Sequence, residues 1–422
     1  MGLRQFLFEK EAVEGINTAS DYLYIKILRF MLVIVNSWPR KEIGEPESPR
    51  FSVFAKYFYL FVTVLAAIGS ISYVVLHNRE LTFLETGHMY IVVLMSLVDA
   101  SRVATLTMST AYRKVASDFL TKIHLFYYKD RSKHAMETHC AVHKISHLFT
   151  LWLVSQMLSG LSLFNLIPMY SNYAAGRYSG EVLKNSTFEH SLYYPYPFDT
   201  STDISGYSIA CAIHWVLSYL CSTWFCMFDL FLSLMVFHLW GHFKILISTL
   251  NDFPRPSSKV EGAKYSDEEL VDVAARLKDC IVYHREIILF TDRMSNVFGP
   301  MLFVYYSFHQ ASGCLLLLEC SQMTAQALMR YVPLTIILTQ QLIQLSVIFE
   351  LVGSESDKLK HAVYGLPWEC LDVKNRRVVV IFLANTQEPV HVKAMGVANV
   401  GVTSMAAILK TSMSYFTFLR SM

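Results

Sequence analysis

Apolar residues gather in seven stretches long enough to cross a bilayer as single helices: 57–76, 88–110, 145–170, 209–232, 297–319, 332–352 and 396–419. At about 1.5 Å rise per residue, roughly 20 residues suffice for the hydrocarbon layer. Two other apolar runs are too short. Residues 25–35 are interrupted by Lys26 and Arg29 and read as an amphipathic helix at the membrane surface, and 378–384 is shorter still. The number of spans is therefore odd, which puts the two termini on opposite sides.

The last stretch has a pattern of its own. From Met395 onward no acidic residue occurs, and at steps of three and four Ser404, Ala407, Thr411, Ser414, Phe418 and then Ser421 and Met422 share one helical face. That face is small and hydroxylated, then bulky. A polar stripe ending in a large apolar pair suits a water-filled pathway closed by a hydrophobic constriction. Small and hydroxylated residues also serve tight packing between membrane helices, and periodicity alone leaves both readings open. Lys410 lies about 80° from this face at roughly 100° per residue, so it is expected to snorkel or pair.

Composition agrees with the pattern. The chain has 422 residues, 53% of them hydrophobic and 17% charged, too apolar for an ordinary soluble protein and expected of an all-α polytopic membrane protein. No cleavable signal is evident in the charged first twenty residues, so the first span is expected to direct insertion. A net charge of +2 implies no nucleic acid or other polyanion as partner. The placement of positive charge is more informative than its sum. Of the Lys and Arg residues, 29 fall before the first span or in the second-to-third, fourth-to-fifth and sixth-to-seventh loops, against four in the alternate loops. Positive residues accumulate on the cytoplasmic side, so the N-terminus is expected in the cytosol and the C-terminus outside. The acceptor Asn185-Ser186-Thr187 lies in the third-to-fourth loop, on the side expected to be extracellular, which makes Asn185 a candidate glycosylation site. The same loop carries Tyr193-Tyr194-Pro195-Tyr196-Pro197-Phe198, suited to a structured lid. Four regions result: a cytoplasmic segment 1–56 with its amphipathic helix, spans one to six over 57–352, a cytoplasmic anchor segment 353–395, and the final helix 396–422.

No enzyme constellation is present: there is no glycine-rich phosphate loop, HExxH or GxSxG. The eight cysteines contain no CxxC pair and suggest no disulfide framework. His139, His143 and His147 share a helical face beside Cys140, but without a carboxylate in the stripe they read as a solvated or packed face, and neither metal nor cofactor is expected. Charges within spans are costly. Asp99 and Arg102, three apart, are expected to neutralise each other, and Asp229 is expected to be solvated near the cytoplasmic end of its span.

Several of these segments resemble those of a known family. Ile34-Val35-Asn36-Ser37-Trp38-Pro39, Tyr194-Pro195-Tyr196-Pro197-Phe198-Asp199, His284-Arg285-Glu286-Ile287-Ile288 with Phe298-Gly299-Pro300, Gln387-Glu388-Pro389-Val390, and the run from Leu409 to Arg420 are similar, in this order, to insect odorant receptors. That resemblance runs nearly end to end. It implies a seven-helix odorant-gated cation channel in olfactory neurons, built of four subunits around one pore lined by the seventh helices. The short fourth-to-fifth loop and the Lys-Thr-Ser-x-Ser-Tyr-Phe-Thr run resemble the variable odorant-binding subunit, which implies a coreceptor as partner. Phe418 stands where the family narrows its pore, with Met422 one turn further out, and Gln387 to Val390 would belong to the anchor. A gustatory-receptor-like channel is the nearest alternative. A G-protein-coupled receptor would need the opposite orientation, and its Asp-Arg-Tyr and Asn-Pro-x-x-Tyr motifs do not occur in spans three and seven.

The implied ligand is a small, mostly apolar volatile odorant, so the pocket is expected in the outer halves of spans two to six, rich in aromatics with few polar groups. Candidates are Met89, Tyr90, Trp152, Gln156, Tyr207, Cys211, Trp215, Phe308, His309, Tyr331 and Thr335. Tyr207 and Tyr331 also suit interfacial anchors. Burying a few hundred Å² of odorant surface is worth several kcal/mol at about 25 cal/mol per Å², before binding entropy is subtracted.

Overall fold

The computed structural model describes residues 15–46, 49–77, 79, 83–179, 186–258, 264–321 and 325–421. Among them the chain forms α1 (Leu23–Ile34), α2 (Pro49–His77), α3 (Phe83–Val103), α4 (Thr110–Asp118), α5 (Lys133–Ala174), α6 (Ile204–Asn251), α7 (Asp267–Cys320), α8 (Ala325–Tyr364), α9 (Val373–Ala384) and α10 (Val402–Ser421). A short antiparallel hairpin, β1 (Lys393–Ala394) and β2 (Ala398–Asn399), precedes α10.

Six described helices are long and apolar enough to cross a membrane: Ser52–His77, Met89–Met108, Lys133–Ala174, Ile204–Asn251, Asp267–Cys320 and Tyr331–Cys370. They coincide with the first six expected stretches. Helix α10 has 20 residues, enough in length at about 30 Å, but its hydroxyl-bearing residues and Lys410 leave it less apolar than the other six. The run 378–384 falls in α9, a helix of 12 residues and too short to span.

Helices α5 to α8 contain 42, 48, 54 and 40 residues, far more than a bilayer requires. Their antiparallel order follows from cross-helix contacts. Asn172 of α5 bonds Tyr207 of α6 while Phe149 meets Phe237, and Tyr306 of α7 bonds Ser346 of α8 while Cys320 lies near Thr335. The polar start of α5, end of α6, start of α7 and end of α8 therefore gather at one end of the bundle. Ser132, Ser266 and Asp372 cap the helices that begin at this end, each side-chain oxygen accepting a backbone N–H of the first turn.

Helix α6 is the axis of the bundle. It is buried without a break from Thr223 to Leu239, and a helix that is apolar on every face has to be enclosed by others. Helices α3, α5, α7 and α8 enclose it, while α2 lies outside and exposes Phe54, Phe61, Leu65 and Ile68, a surface suited to lipid. Helix α1 is amphipathic, as its sequence predicts, but the protein covers its apolar face: Tyr24, Ile25, Leu28 and Leu32 are buried against α5 and α6. The histidine stripe of α5 is packed, with His139, His143 and His147 all buried and the Tyr22 hydroxyl 2.7 Å from His139 Nε2. At Gly299 the hairpin presses so closely on α7 that a Cβ would stand 2.8 Å from the Lys393 carbonyl oxygen, which is why only glycine fits there.

The intramembrane charges pair otherwise than their spacing predicts. Arg102 donates from Nη2 to Asp229 Oδ1 of α6 at 2.9 Å and from Nη1 to the Phe225 carbonyl, and both charged side chains are buried. Its guanidinium lies 4.0 Å from the centroid of the Phe225 ring and 5.1 Å from those of Phe228 and Tyr305. Asp229 is thus enclosed, not solvated, because α6 offers Arg102 a carboxylate, a carbonyl and aromatic faces together, which a neighbour one turn away cannot. Removing one partner of a buried pair leaves an uncompensated charge. Arg102→Leu is therefore expected to cost about 3–5 kcal/mol, read as a lowered melting temperature in detergent, with much of the loss recovered in Arg102→Leu/Asp229→Leu. An unchanged melting temperature for the single variant would contradict this.

Candidate functional site

The α5–α6 connection folds back over one end of the bundle. Asn172 brackets it: Nδ2 donates to the Glu189 carbonyl and the Tyr207 hydroxyl, both at 2.9 Å, and Oδ1 accepts the Glu189 N–H and an Arg177 N–H. Arg177 also pairs with the Glu189 carboxylate at 3.1 Å. Phe188 stacks on Tyr207 with centroids 4.3 Å apart, His190 bonds the Thr200 carbonyl, and Tyr196 bonds His214 of α6. Burial holds His190 below the ordinary imidazole range, against the bond to Thr200, so the ring is neutral at neutral pH. Tyr194 reaches α2, where its ring occupies the space a Cβ at Gly69 would need. The predicted lid is therefore an ordered one, and Asp203 at its end caps α6 through the Ser205 and Gly206 N–H groups.

Beneath the lid lies a shallow cleft, about 190 Å³ when the space open to solvent is counted, lined by Asn165, Pro168, Met169, Glu189, Ser191, Tyr207, Cys211 and Trp215. Its walls are apolar and aromatic with a few polar groups, and Ser191 donates to Asn165 Oδ1 at 3.2 Å. Three residues singled out in the sequence meet here: Tyr207, Cys211 and Trp215. The others stand elsewhere. Trp152 and Gln156 lie on the seam between α5 and α8, where they donate to Gln344 and Gln340 at 3.2 and 2.6 Å. Met89 is buried on α3 and Tyr90 beside it is exposed. Phe308 and His309 are buried in the aromatic layer around Arg102, touching Phe225 and Tyr305. Tyr331 is buried rather than placed at the surface as an anchor, and Thr335 donates to its carbonyl. The cleft residues that sequence reading passed over are Asn165, Pro168, Met169, Glu189 and Ser191. Asn165 and Asn172, seven apart on one face of an otherwise apolar helix, were the available signal.

Helix α10 packs against α7 and α8 through Ile408 and Ser412, whose hydroxyl donates to the Gln310 carbonyl at 3.2 Å. The face predicted to line a pathway points away from this contact. Ser404 and Thr411 are half-buried and Ala407, Ser414 and Phe418 are exposed, Phe418 to 57%. The hydroxyls of Thr411 and Ser414 donate to Ala407 and Lys410 carbonyls of the same helix, so the stripe carries no unpaired hydroxyl at these two positions. Lys410 is exposed. Ser421 ends the helix, and Met422 and Asn185 lie outside the described residues.

Long apolar helices around one buried helix, with an ordered lid over a cleft at one end of the bundle, define a polytopic membrane protein. The 7tm Odorant receptor family model matches residues 88–413, and the chain belongs to that family, which consists of receptors rather than enzymes. Odorant receptor 13a of Drosophila melanogaster is 21% identical over 417 residues, covering 92% of this chain and 93% of that one. Odorant receptor 67a of the same fly is 24% identical over 203 residues, 46% of each chain, and Odorant receptor Or1 of Anopheles gambiae is 26% identical over 173 residues, 39% of this chain and 38% of that one. The insect olfactory receptor OR5 from Machilis hrabei has the same fold, with a TM-score of 0.74 over 94% of this chain and 97% of that one at 14% identity. OR5 in complex with eugenol superposes with the same TM-score of 0.74.

If Asn172 holds the lid, Asn172→Ala removes four hydrogen bonds at about 1 kcal/mol each, offset in part by water. The expected result is amide exchange in 186–203 at least about tenfold faster than in the unaltered chain, measured by mass spectrometry, with α7 unaffected. Equal exchange in the two proteins would contradict the bracket.

Proposed function

We propose that the chain is an odorant-binding tuning subunit of a heteromeric, odorant-gated, non-selective cation channel in the plasma membrane of olfactory neuron dendrites. The observation that carries this reading is membership of the odorant receptor family combined with an α10 face that its own subunit covers only in part, half-buried at Ser404 and Thr411 and exposed at Ala407, Ser414 and Phe418. The partners are a volatile odorant, coreceptor subunits completing a tetramer, and lipid. The N-terminus lies in the cytosol and the C-terminus outside, a reading supported by the basic residues of the loops at the end of the bundle that carries α9. On that orientation the lid and the cleft face outward, where odorants arrive.

The walls of the cleft stand too close together to enclose even a water-sized body, so it has to widen to admit an odorant. An odorant shifts a gating equilibrium only by its difference in affinity between two states, so the widened cleft is the one coupled to an open pore. In the resting state Phe418, with Met422 one turn further out, narrows the pathway lined by Ser404, Ala407, Thr411, Ser414 and Ser421. Gating moves the Phe418 ring off the axis.

Co-expression with a coreceptor and recording across a chemically broad odorant panel tests this. Trp215→Ala should change the rank order of odorants, with effective concentrations shifting about tenfold for those that contact the indole, roughly 1.4 kcal/mol. Trp152→Ala, on the seam away from the cleft, should scale all responses alike. Identical effects of the two variants would count against the cleft as the binding site. Phe418→Ser should raise the leak current or alter ion selectivity, and unchanged currents from a surface-expressed channel would remove Phe418 from the gate.

A further inference from the structure

Leu125–Tyr127 form one 3-10 turn between α4 and α5, and the first N–H groups of such a turn need acceptors from outside it. Here both acceptors are imidazoles. The Leu125 N–H donates to His238 Nδ1 at 3.0 Å, and the Phe126 N–H donates to His124 Nδ1 at 3.2 Å. A ring nitrogen that accepts carries no proton, so both rings are neutral with their hydrogen on Nε2. In His124 that hydrogen faces the Tyr24 hydroxyl of α1, 2.7 Å away. The two rings lie 4.0 Å apart, and both are fully buried.

We propose that His124 and His238 form an acid-labile latch, holding the Leu125–Tyr127 turn and, through Tyr24, helix α1 onto the bundle only while both imidazoles are neutral. A proton added to either Nδ1 turns an acceptor into a donor that faces another N–H, so the bond to the turn is lost. It also places a positive charge in a buried space where no carboxylate among the described residues pairs with either ring. The groups around the pair are Tyr22 and Tyr24 from the N-terminal segment, His139 and His143 from α5, and His242 from α6, backed by Tyr283 of α7. From the loop, Lys129 lies over Phe126, and Arg131 lies over Tyr128 and Tyr283. Carboxylates stand one layer further out, Asp21 acting on Tyr127 and Glu286 on Tyr128 and Tyr283, and among the described residues none pairs with either ring. Burial, then the neighbouring histidines, holds His124 well below the ordinary imidazole range.

The sign follows from linkage. Rings released into solvent regain an ordinary pKa near 6.5, so the open state takes up protons that the closed state refuses, and the latch weakens as pH falls below that value. For one released imidazole the open fraction should rise about tenfold between pH 7.5 and pH 5.5, and for two about a hundredfold. The latch does not depend on the channel reading. On the orientation proposed above, the compartment it senses is the cytosol.

Amide exchange of the purified full chain in lipid nanodiscs, corrected for intrinsic rates, tests the proposal. Protection over 119–131 should fall about a hundredfold from pH 7.5 to pH 5.5, while the histidine-free segment 267–279 of α7 stays constant. Asparagine supplies an acceptor near the place of Nδ1 but does not titrate. His238→Asn should therefore reduce the loss to about tenfold, and His124→Asn/His238→Asn should abolish it while keeping protection at pH 7.5. Equal protection of the unaltered chain at the two pH values overturns the latch whether or not either variant folds. So does a loss in a folded asparagine variant as large as in the unaltered chain.

Discussion

An arginine inside a bilayer has to find a counter-charge, and the rest of this structure is arranged around how Arg102 finds one. Its partner is on another helix. Asp229, the Phe225 carbonyl and three aromatic rings form one receptacle for the guanidinium, and two of those rings belong to α6 itself. The pair therefore fixes the depth and rotation of α3 against α6. With α6 enclosed, α5, α7 and α8 take the remaining sides, and α2 and α10 are left at the periphery with one face each toward the bundle. Replacing such a pair by apolar residues is often tolerated, so its value lies more in specifying one register than in net stability.

Helix α7 links the two regions of functional interest. Its second half contributes Tyr305 and His309 to the layer around Arg102, and next along Gln310 accepts the Ser412 hydroxyl of α10. Gly313 also faces Ser412, where a Cβ would stand 3.1 Å from the hydroxyl oxygen. A change in how α6 packs under the lid is thus one helix away from α10. Adjacency is not coupling. Packed interfaces do tend to hold discrete arrangements rather than deform continuously, which gives a small change at the cleft a physical route to a larger one at the exposed face of α10.

The fold was legible in the sequence to the extent that hydropathy determines it. Seven stretches stood out by length and apolar character, and six of them are long apolar helices while the seventh, α10, is more hydroxylated. Ile408 and Ser412 turn inward in this subunit while Ser414 and Phe418 do not, and periodicity alone left open whether that face packs or lines a pathway. The pairing of Arg102 was not legible. Spacing within one helix speaks for Asp99, whereas the observed partner lies 127 positions along the chain and depends on how α3 and α6 are rotated. The cleft under the lid was only partly legible for the same reason. Tyr207, Cys211 and Trp215, at four-residue steps on α6, share a face that any reading finds, but Glu189 and Ser191 arrive from a loop whose path is set by the Asn172 bracket. Phe308 and His309 look like pocket residues in composition, and the structure spends them on enclosing a charge.

The central claim is that this receptor carries current through its own helices and does not signal through a second protein. Excised membrane patches containing the chain and a coreceptor, bathed in solution without GTP, ATP or cytosol, test it most directly. Odorant-evoked currents that persist at full amplitude and rise within milliseconds of application are predicted. Currents that vanish on excision and return only with GTP would contradict the account.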